Sequence, residues 1–160
     1  MEENLKSIVV VAVVATNKRT NLLCDRCLRS IRCQKRPVDS LIVVRDDFDE
    51  ENDSFIKESN DKIQKSFPSS NLIILNNKRT RHVSGTGCWN TGIEHAYELY
   101  GEECFIAICD DDDEWHDNHV EACLNAINDA SLPEDVQWIG SGLIRKVVKN
   151  DMDHHLKITN

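Results

Sequence analysis

The chain has 160 residues and a net charge of −9. That is length enough for one domain with a real core, and too acidic for a general nucleic-acid or anionic-membrane surface. No stretch reaches transmembrane length. The seven cysteines, odd in number and without an extracellular framework, read as reduced thiols in a cytoplasmic protein.

In chain order, residues 7–15 form a β-branched run. Ile8 to Ala15 has the character of a signal-peptide core, but the flank Met1 to Lys6 lacks the net positive charge of one, so the run reads as a buried first strand. Thr16 to Thr20 is turn-like, and Thr20 or Asn21 is the expected cap of a helix in which Leu22, Leu23, Cys24, Cys27, Leu28 and Ile31 recur at helical spacing. Cys24 and Cys27, with Cys33 nearby, admit a zinc or redox site. No second Cys/His pair sits at finger spacing, so they read as core. Gln34 to Pro37 ends that helix.

Leu41-Ile42-Val43-Val44 is the second buried strand, and it runs into acid: Arg45-Asp46-Asp47, then Phe48-Asp49-Glu50-Glu51. A helix is expected over 54–67 with Phe55, Ile56, Ile63 and Phe67 on one face, then a turn at Pro68-Ser69-Ser70. Leu72 to Leu75 is the third strand, followed by Asn76-Asn77 and the basic Lys78, Arg79, Arg81 and His82. Ser84-Gly85-Thr86-Gly87 then enters a helix with Trp89, Ile93, Ala96 and Tyr97 or Tyr100 inward. A glycine-containing loop at a helix start offers backbone N–H groups to an anion. Alone it is a weak signal, since such loops also simply cap helices. Arg79 and Arg81 beside it point to a diphosphate, against the plainer alternative of a solvated basic turn.

The most telling stretch comes next. Phe105-Ile106-Ala107-Ile108-Cys109 has the length of a strand buried on both faces and stops at four consecutive aspartates, Asp110 to Asp113, before Glu114-Trp115. Adjacent carboxylates repel by roughly 1 kcal/mol per close pair in water and about 4 near a protein surface. A solvated acidic loop tolerates that. A hard cation such as Mg2+ offsets it, taking one or two carboxylates and leaving positions for substrate phosphates. Beyond it, Asp117 or Asn118 is the expected cap of a helix with Val120, Cys123, Leu124 and Ile127. Ser131-Leu132-Pro133 ends that helix, Val136 to Ile139 is a further strand, and Leu143 to Val148 reads as another. The tail from Asp151 is polar, and His154-His155 reads as solvated.

Alternating strands and helices predict an α/β fold: a Rossmann-like, mostly parallel central sheet flanked by helices. The strand ends at 16–20, 45–49, 76–81 and 110–115 then gather on one edge, with acids from two strands, bases from a third and a glycine loop. That suits a metal-assisted nucleotide-diphosphate site.

Four segments, in order, resemble the family 2 glycosyltransferases of the GT-A fold. They are Val13 to Arg19, Leu41 to Asp47, Gly87-Cys88-Trp89-Asn90-Thr91-Gly92-Ile93, and Phe105 to Trp115, which is similar to the family's DxD segment. The match spans about residues 7–145. The resemblance implies transfer of a glycosyl group from a nucleotide-diphosphate sugar, commonly a UDP-sugar, with Mg2+ or Mn2+. The acceptor is an unidentified glycan, lipid or protein, membrane-associated partners are admitted, and no nucleic acid is involved. By position, Asp112 is the metal ligand, with Asp110 and Asp111 against ribose and metal. Asp46 accepts a hydrogen bond from the base. Ala15, Thr16 and Asn17 line the nucleoside pocket, with Arg19 nearby.

The departures from the family pattern are Asn17 for a tyrosine, Asp47-Phe48 for Gly-Ser, and Trp89 for an arginine, which leaves Arg79 or Arg81 to meet the diphosphate. The chain is expected to be a single nucleotide-sugar-binding domain without the acceptor-side half, so no catalytic base is named. The alternatives are a non-catalytic nucleotide- or metal-binding module and a haloacid-dehalogenase-type phosphohydrolase with Asp110-x-Asp112 as nucleophile and acid. The latter pattern wants Thr or Val at Glu114 and lies on a first strand.

Overall fold

The computed structural model describes residues 8–46, 53–81 and 83–127. Among the described residues four strands, β1 (Val9–Thr16), β2 (Ser40–Arg45), β3 (Leu72–Asn76) and β4 (Cys104–Asp110), form one sheet in the order β3-β2-β1-β4. Every pairing is parallel. The chain therefore steps outward from β1 through β2 to β3, then returns to place β4 on β1's other side. The reversal creates a switch point between the carboxyl ends of β1 and β4, where open α/β sheets form a binding crevice.

β1 is buried along almost its whole length because it has a strand on either side and a helical layer on each face. Its alternating side chains divide between two cores. Ala12 and Val14 join Leu23, Cys24, Cys27, Leu28, Ile31, Leu41, Val43, Ile63 and Cys109 on one face. Val11, Val13 and Ala15 join Ile42, Val44, Cys88 and Ala96 on the other. Burying one such aliphatic side chain contributes about 1.5–3 kcal/mol, and because both faces are covered the alternation along β1 shares that burial between two cores.

The first core is covered by a helical stretch in three pieces: α1 (Thr20–Leu22), a π-helical segment (Leu23–Leu28) and α2 (Arg29–Arg32). The π segment is a departure from the regular helix expected there, and it sets Leu23, Cys24, Cys27 and Leu28 all against the core. The expected cap also differs. Arg19 occupies the N-cap position without a side-chain capping bond, and the Thr20 hydroxyl instead meets that of Ser59 at 2.5 Å. Cys24 and Cys27 are core, as their spacing suggested, whereas Cys33 is exposed; Cys27 Sγ lies 3.6 Å from Cys109 Sγ, and all seven thiols are free. α3 (Asp53–Ser66) completes this layer through Ile63, with Phe67 just beyond.

The second face is covered by α4 (Thr86–Tyr100). This helix approaches the sheet through a small residue: a Cβ on Gly92 would stand 2.4 Å from Val13 Cγ1. Of the two tyrosines proposed as inward, Tyr100 packs on the core and Tyr97 is exposed. A 3-10 turn (Gly101–Glu103) leads into β4.

β4 corrects another expectation. Phe105 and Ile108 are 37% and 45% exposed, because among the described residues β4 is an edge strand rather than one covered on both faces. α5 (His119–Ile127) follows the acid stretch, with Val120 buried. The compact unit built on the sheet runs to Ala122; of the following unit, only Cys123 to Ile127, the end of α5, are described. The expected strands at 136–139 and 143–148, together with Asp47, Phe48 and His82, lie outside the described residues. No helix among the described residues is long and apolar enough to cross a membrane.

Candidate functional site

Parallel register aligns the strand ends. Thr16 of β1 pairs with Arg45 of β2, Arg45 with Asn76 of β3, and Ala15 with Asp110 of β4. Asp46 and Asp111 are the next residues along their strands, so both carboxylates fall on the edge that carries Thr16. That residue joins them. The Asp46 backbone N–H donates to the Thr16 carbonyl at 2.8 Å, and the Thr16 hydroxyl donates to Asp111 Oδ2 at 2.8 Å.

The aspartate run is folded as a tight turn, with the Asp113 N–H donating to the Asp110 carbonyl at 3.1 Å. The turn separates the middle pair. Asp111 points inward and is fully buried, whereas the Asp112 side chain is 47% exposed. Arg19 spans both, with its Nη2 2.5 Å from Asp111 Oδ1, its Nε 3.2 Å from Asp111 Oδ2 and its Nη1 3.0 Å from Asp112 Oδ2. Part of the carboxylate repulsion is thus offset by a cation of the chain itself.

The segment after the run is anchored to the end of α2. Ser30 Oγ accepts the Trp115 N–H at 3.0 Å, and the Gln34 amide bridges the His116 carbonyl (2.6 Å) and the Val120 N–H (3.1 Å). Trp115 also packs on the first core and stacks on His119, so the acid turn stands on a rigid base.

These surroundings perturb the titrating groups. Burial pushes the Asp111 carboxyl above the usual range, opposed by the Thr16 hydroxyl, the Arg19 charge and the Asn17 backbone N–H. Asp110 is raised too, first by burial and then by the charges of Asp113, Asp112 and Asp111. For Arg19, burial pulls downward, but the charges of Asp111 and Asp112 outweigh it and hold the guanidinium above its ordinary value. Carboxyls raised in this way are relieved by added positive charge.

Among the described residues no group of three His, Cys, Asp or Glu side chains could hold a metal ion. The available donors are the carboxylates of the turn, and Asp111 Oδ1 is buried without a hydrogen bond of good direction despite the nearby Arg19. Such a set does not suit an all-protein cage. It fits a hard cation that takes one or two carboxylates and completes its shell with phosphate oxygens and water.

The other candidate residues divide. Ala15 is buried beside the start of α4: a Cβ built on Gly85 would lie 3.4 Å from the Ala15 Cβ and 3.3 Å from the Trp89 indole. Arg81 stays at the edge, its Nε donating to the Asp46 carbonyl at 3.2 Å. Arg79 does not join them, because its guanidinium pairs with Glu94 on α4. The glycine loop does end at this edge, with Gly85 as the N-cap of α4 and no side-chain cap.

Sequence reasoning did not single out Asn77 or Ser30. Asn77 Nδ2 donates to Asp46 Oδ1 at 2.7 Å. The one signal for Asn77 was its place directly after β3. Two open surface hollows, of about 700 and 360 Å3, lie elsewhere, around Lys65 to Ser70 and around Cys24 and Arg32. Neither includes a residue of the acid edge.

Residues 8–133 match the family model described as Glycosyl transferase family 2. No curated protein matches the chain.

Proposed function

Because the chain belongs to glycosyltransferase family 2, we propose that the acid edge binds a nucleotide-diphosphate sugar, with UDP as the nucleotide, for transfer of its glycosyl group. The observation that carries this reading is the Thr16 junction. One residue at the switch point holds a carboxylate on either side, Asp46 through its backbone and Asp111 through its hydroxyl.

In this reading Asp46 accepts the imide N–H of uracil, and Ala15, Thr16 and Asn17 line the nucleoside pocket. Asp110 would lie on the ribose side, Asp112 would hold Mg2+ or Mn2+, and the buried Asp111 would act on them through Thr16 and Arg19. When bound, the cation supplies charge neutralisation for the departing diphosphate. The chain's own groups act in the same direction. Arg19 and Arg81 bring positive charge to the edge, where preorganised charge stabilises the leaving group. The inward turn of Asp111 leaves Asp112, half exposed, as the carboxylate accessible to a nucleotide-bound ion. A cytoplasmic location, with its supply of nucleotide sugars, agrees with seven free thiols.

Calorimetric titration with UDP, with and without Mn2+, tests binding, and nucleotide-sugar hydrolysis or transfer then tests turnover. Metal-dependent UDP binding that is lost in Asp112→Ala with the fold intact supports the reading. Absence of UDP binding, or binding indifferent to metal and to Asp112, overturns it. Binding without hydrolysis or transfer favours a nucleotide-binding module instead.

A further inference from the structure

Asp46 is held in a way that its sequence context did not suggest. It is 6% exposed, with its backbone N–H on Thr16 and its carbonyl on Arg81. Its carboxylate is approached by Asn77, which is itself tightly fixed. The Asn77 backbone N–H donates to the Arg45 carbonyl at 2.8 Å. Its Oδ1 accepts the Arg79 backbone N–H at 2.8 Å and a share of the Thr91 hydroxyl proton at 3.3 Å, the nearer acceptor of that proton being the Gly87 carbonyl at 2.9 Å.

Chemistry decides which way the amide faces. The Arg79 backbone N–H can only donate and an ionised Asp46 can only accept, so a flipped Asn77 would lose both bonds. α4 closes the arrangement from outside. Thr91 Oγ1 lies 2.9 Å from the Gly87 carbonyl, and a Cβ on Gly87 would stand 2.6 Å from the Thr80 carbonyl and 3.0 Å from Asn77 Nδ2. The absence of a side chain at Gly87 is what lets the first turn of α4 press on Asn77.

We propose that Asn77, steadied by Thr91, is the positioning residue that fixes the Asp46 carboxylate and thereby sets the selectivity of the site for uracil over cytosine. The inference rests on the proposed role of Asp46. Uracil presents an N–H at ring position 3, which a carboxylate accepts. Cytosine presents a lone pair there, which a fixed carboxylate repels. A carboxylate that has lost the Asn77 bond is less closely held and can turn further from that lone pair, so loss of the bond weakens uracil binding and lessens the penalty on cytosine.

The test measures UDP and CDP affinities, with Mn2+ present, for the full chain and for Asn77→Ala, Thr91→Val and Asp46→Ala, with thermal melting as a check on folding. The unaltered chain should prefer UDP by tenfold or more, about one good hydrogen bond. In Asn77→Ala, UDP affinity should fall about tenfold and the preference should shrink to within about threefold. Thr91→Val, which leaves Asn77 in place but removes its hydroxyl partner, should lie between. Equal losses for UDP and CDP in Asn77→Ala would show a structural role only and overturn the inference. If Asn77→Ala fails to fold, Asn77→Ser is measured in its place, and an unchanged preference there overturns the inference. UDP binding that is lost in Asp46→Ala but keeps its full preference in Asn77→Ala overturns the role of Asn77 alone. No UDP binding by the unaltered chain, or no effect of Asp46→Ala, overturns the base-recognition reading and this inference with it.

Discussion

Thr16→Val removes a single hydroxyl and leaves everything else nearly the same size. Thr16 is 5% exposed at the end of β1, and valine is β-branched and strand-compatible, so backbone and packing should hold. What is lost is the 2.8 Å bond to Asp111, a carboxylate with no exposed surface. A hydrogen bond to a charged group is worth about 1.5–3 kcal/mol net, and the buried acceptor left behind makes the upper half of that range the better guide. Asp111 keeps Arg19 and the Asn17 N–H, so the loss should not reach the larger cost of an unpaired buried charge. With a urea slope of about 2 kcal/mol per molar, the midpoint should fall by about 1.1–1.5 M. Thr16→Ser, which keeps the hydroxyl and loses one methyl, should cost about 1 kcal/mol or less. Urea unfolding followed by circular dichroism makes the comparison. A Thr16→Val midpoint within about 0.2 M of the unaltered chain would refute the claim that this bond holds the acid edge together.

Gly92→Ala should destabilise by about 1–3 kcal/mol despite alanine's better helix propensity, since its methyl would meet Val13; thermal melting checks this, and a raised midpoint would contradict the close packing of α4. Arg19→Met should cost about 1–2 kcal/mol, discounted because the Arg19 side chain is 49% exposed. The share due to exposed Asp112 should vanish in 1 M salt, so a loss identical at low and high salt would count against that contact. His119, held below its ordinary value by burial and then by His116, should make stability depend on pH. The unfolded chain binds the proton more readily. The contribution of His119 is therefore complete above about 6.5, the unperturbed value, and declines as pH falls through the lower folded value. His119→Phe keeps a ring on Trp115 and should flatten urea midpoints measured between pH 7.5 and 5; an unaltered slope would be evidence against the burial of His119.

Much of the architecture was readable because each central strand is a short β-branched run that stops at polar residues. Val9 to Ala15 and Leu41 to Val44 are such runs, and strands alternating with helices leave parallel pairing as the consistent arrangement. The meeting of Asp46 with the aspartate turn follows from that topology, because parallel strands put all their carboxyl ends on one edge. The details that escaped depend on contacts between distant segments. The π segment reads like an ordinary helix, since apolar residues four apart in sequence, Leu23 with Cys27 and Cys24 with Leu28, share a face in either winding. Phe105 and Ile108 look like core in isolation, and only the strand order shows that β4 lies at an edge. Arg79 is basic and adjacent to the glycine loop, yet Glu94 on the following helix draws it away. Asn77 gains its role from Thr91 and Gly87, whose approach depends on how α4 lies against the sheet.

The most direct measurement is anomalous diffraction from crystals of the protein grown with Mn2+ and UDP. A manganese peak is expected within about 2.0–2.3 Å of an Asp112 carboxylate oxygen, shared with the diphosphate, with the uracil ring against Asp46. A manganese ion bound away from the Asp110 to Asp113 turn, or a nucleotide whose base lies far from Asp46, would contradict this arrangement.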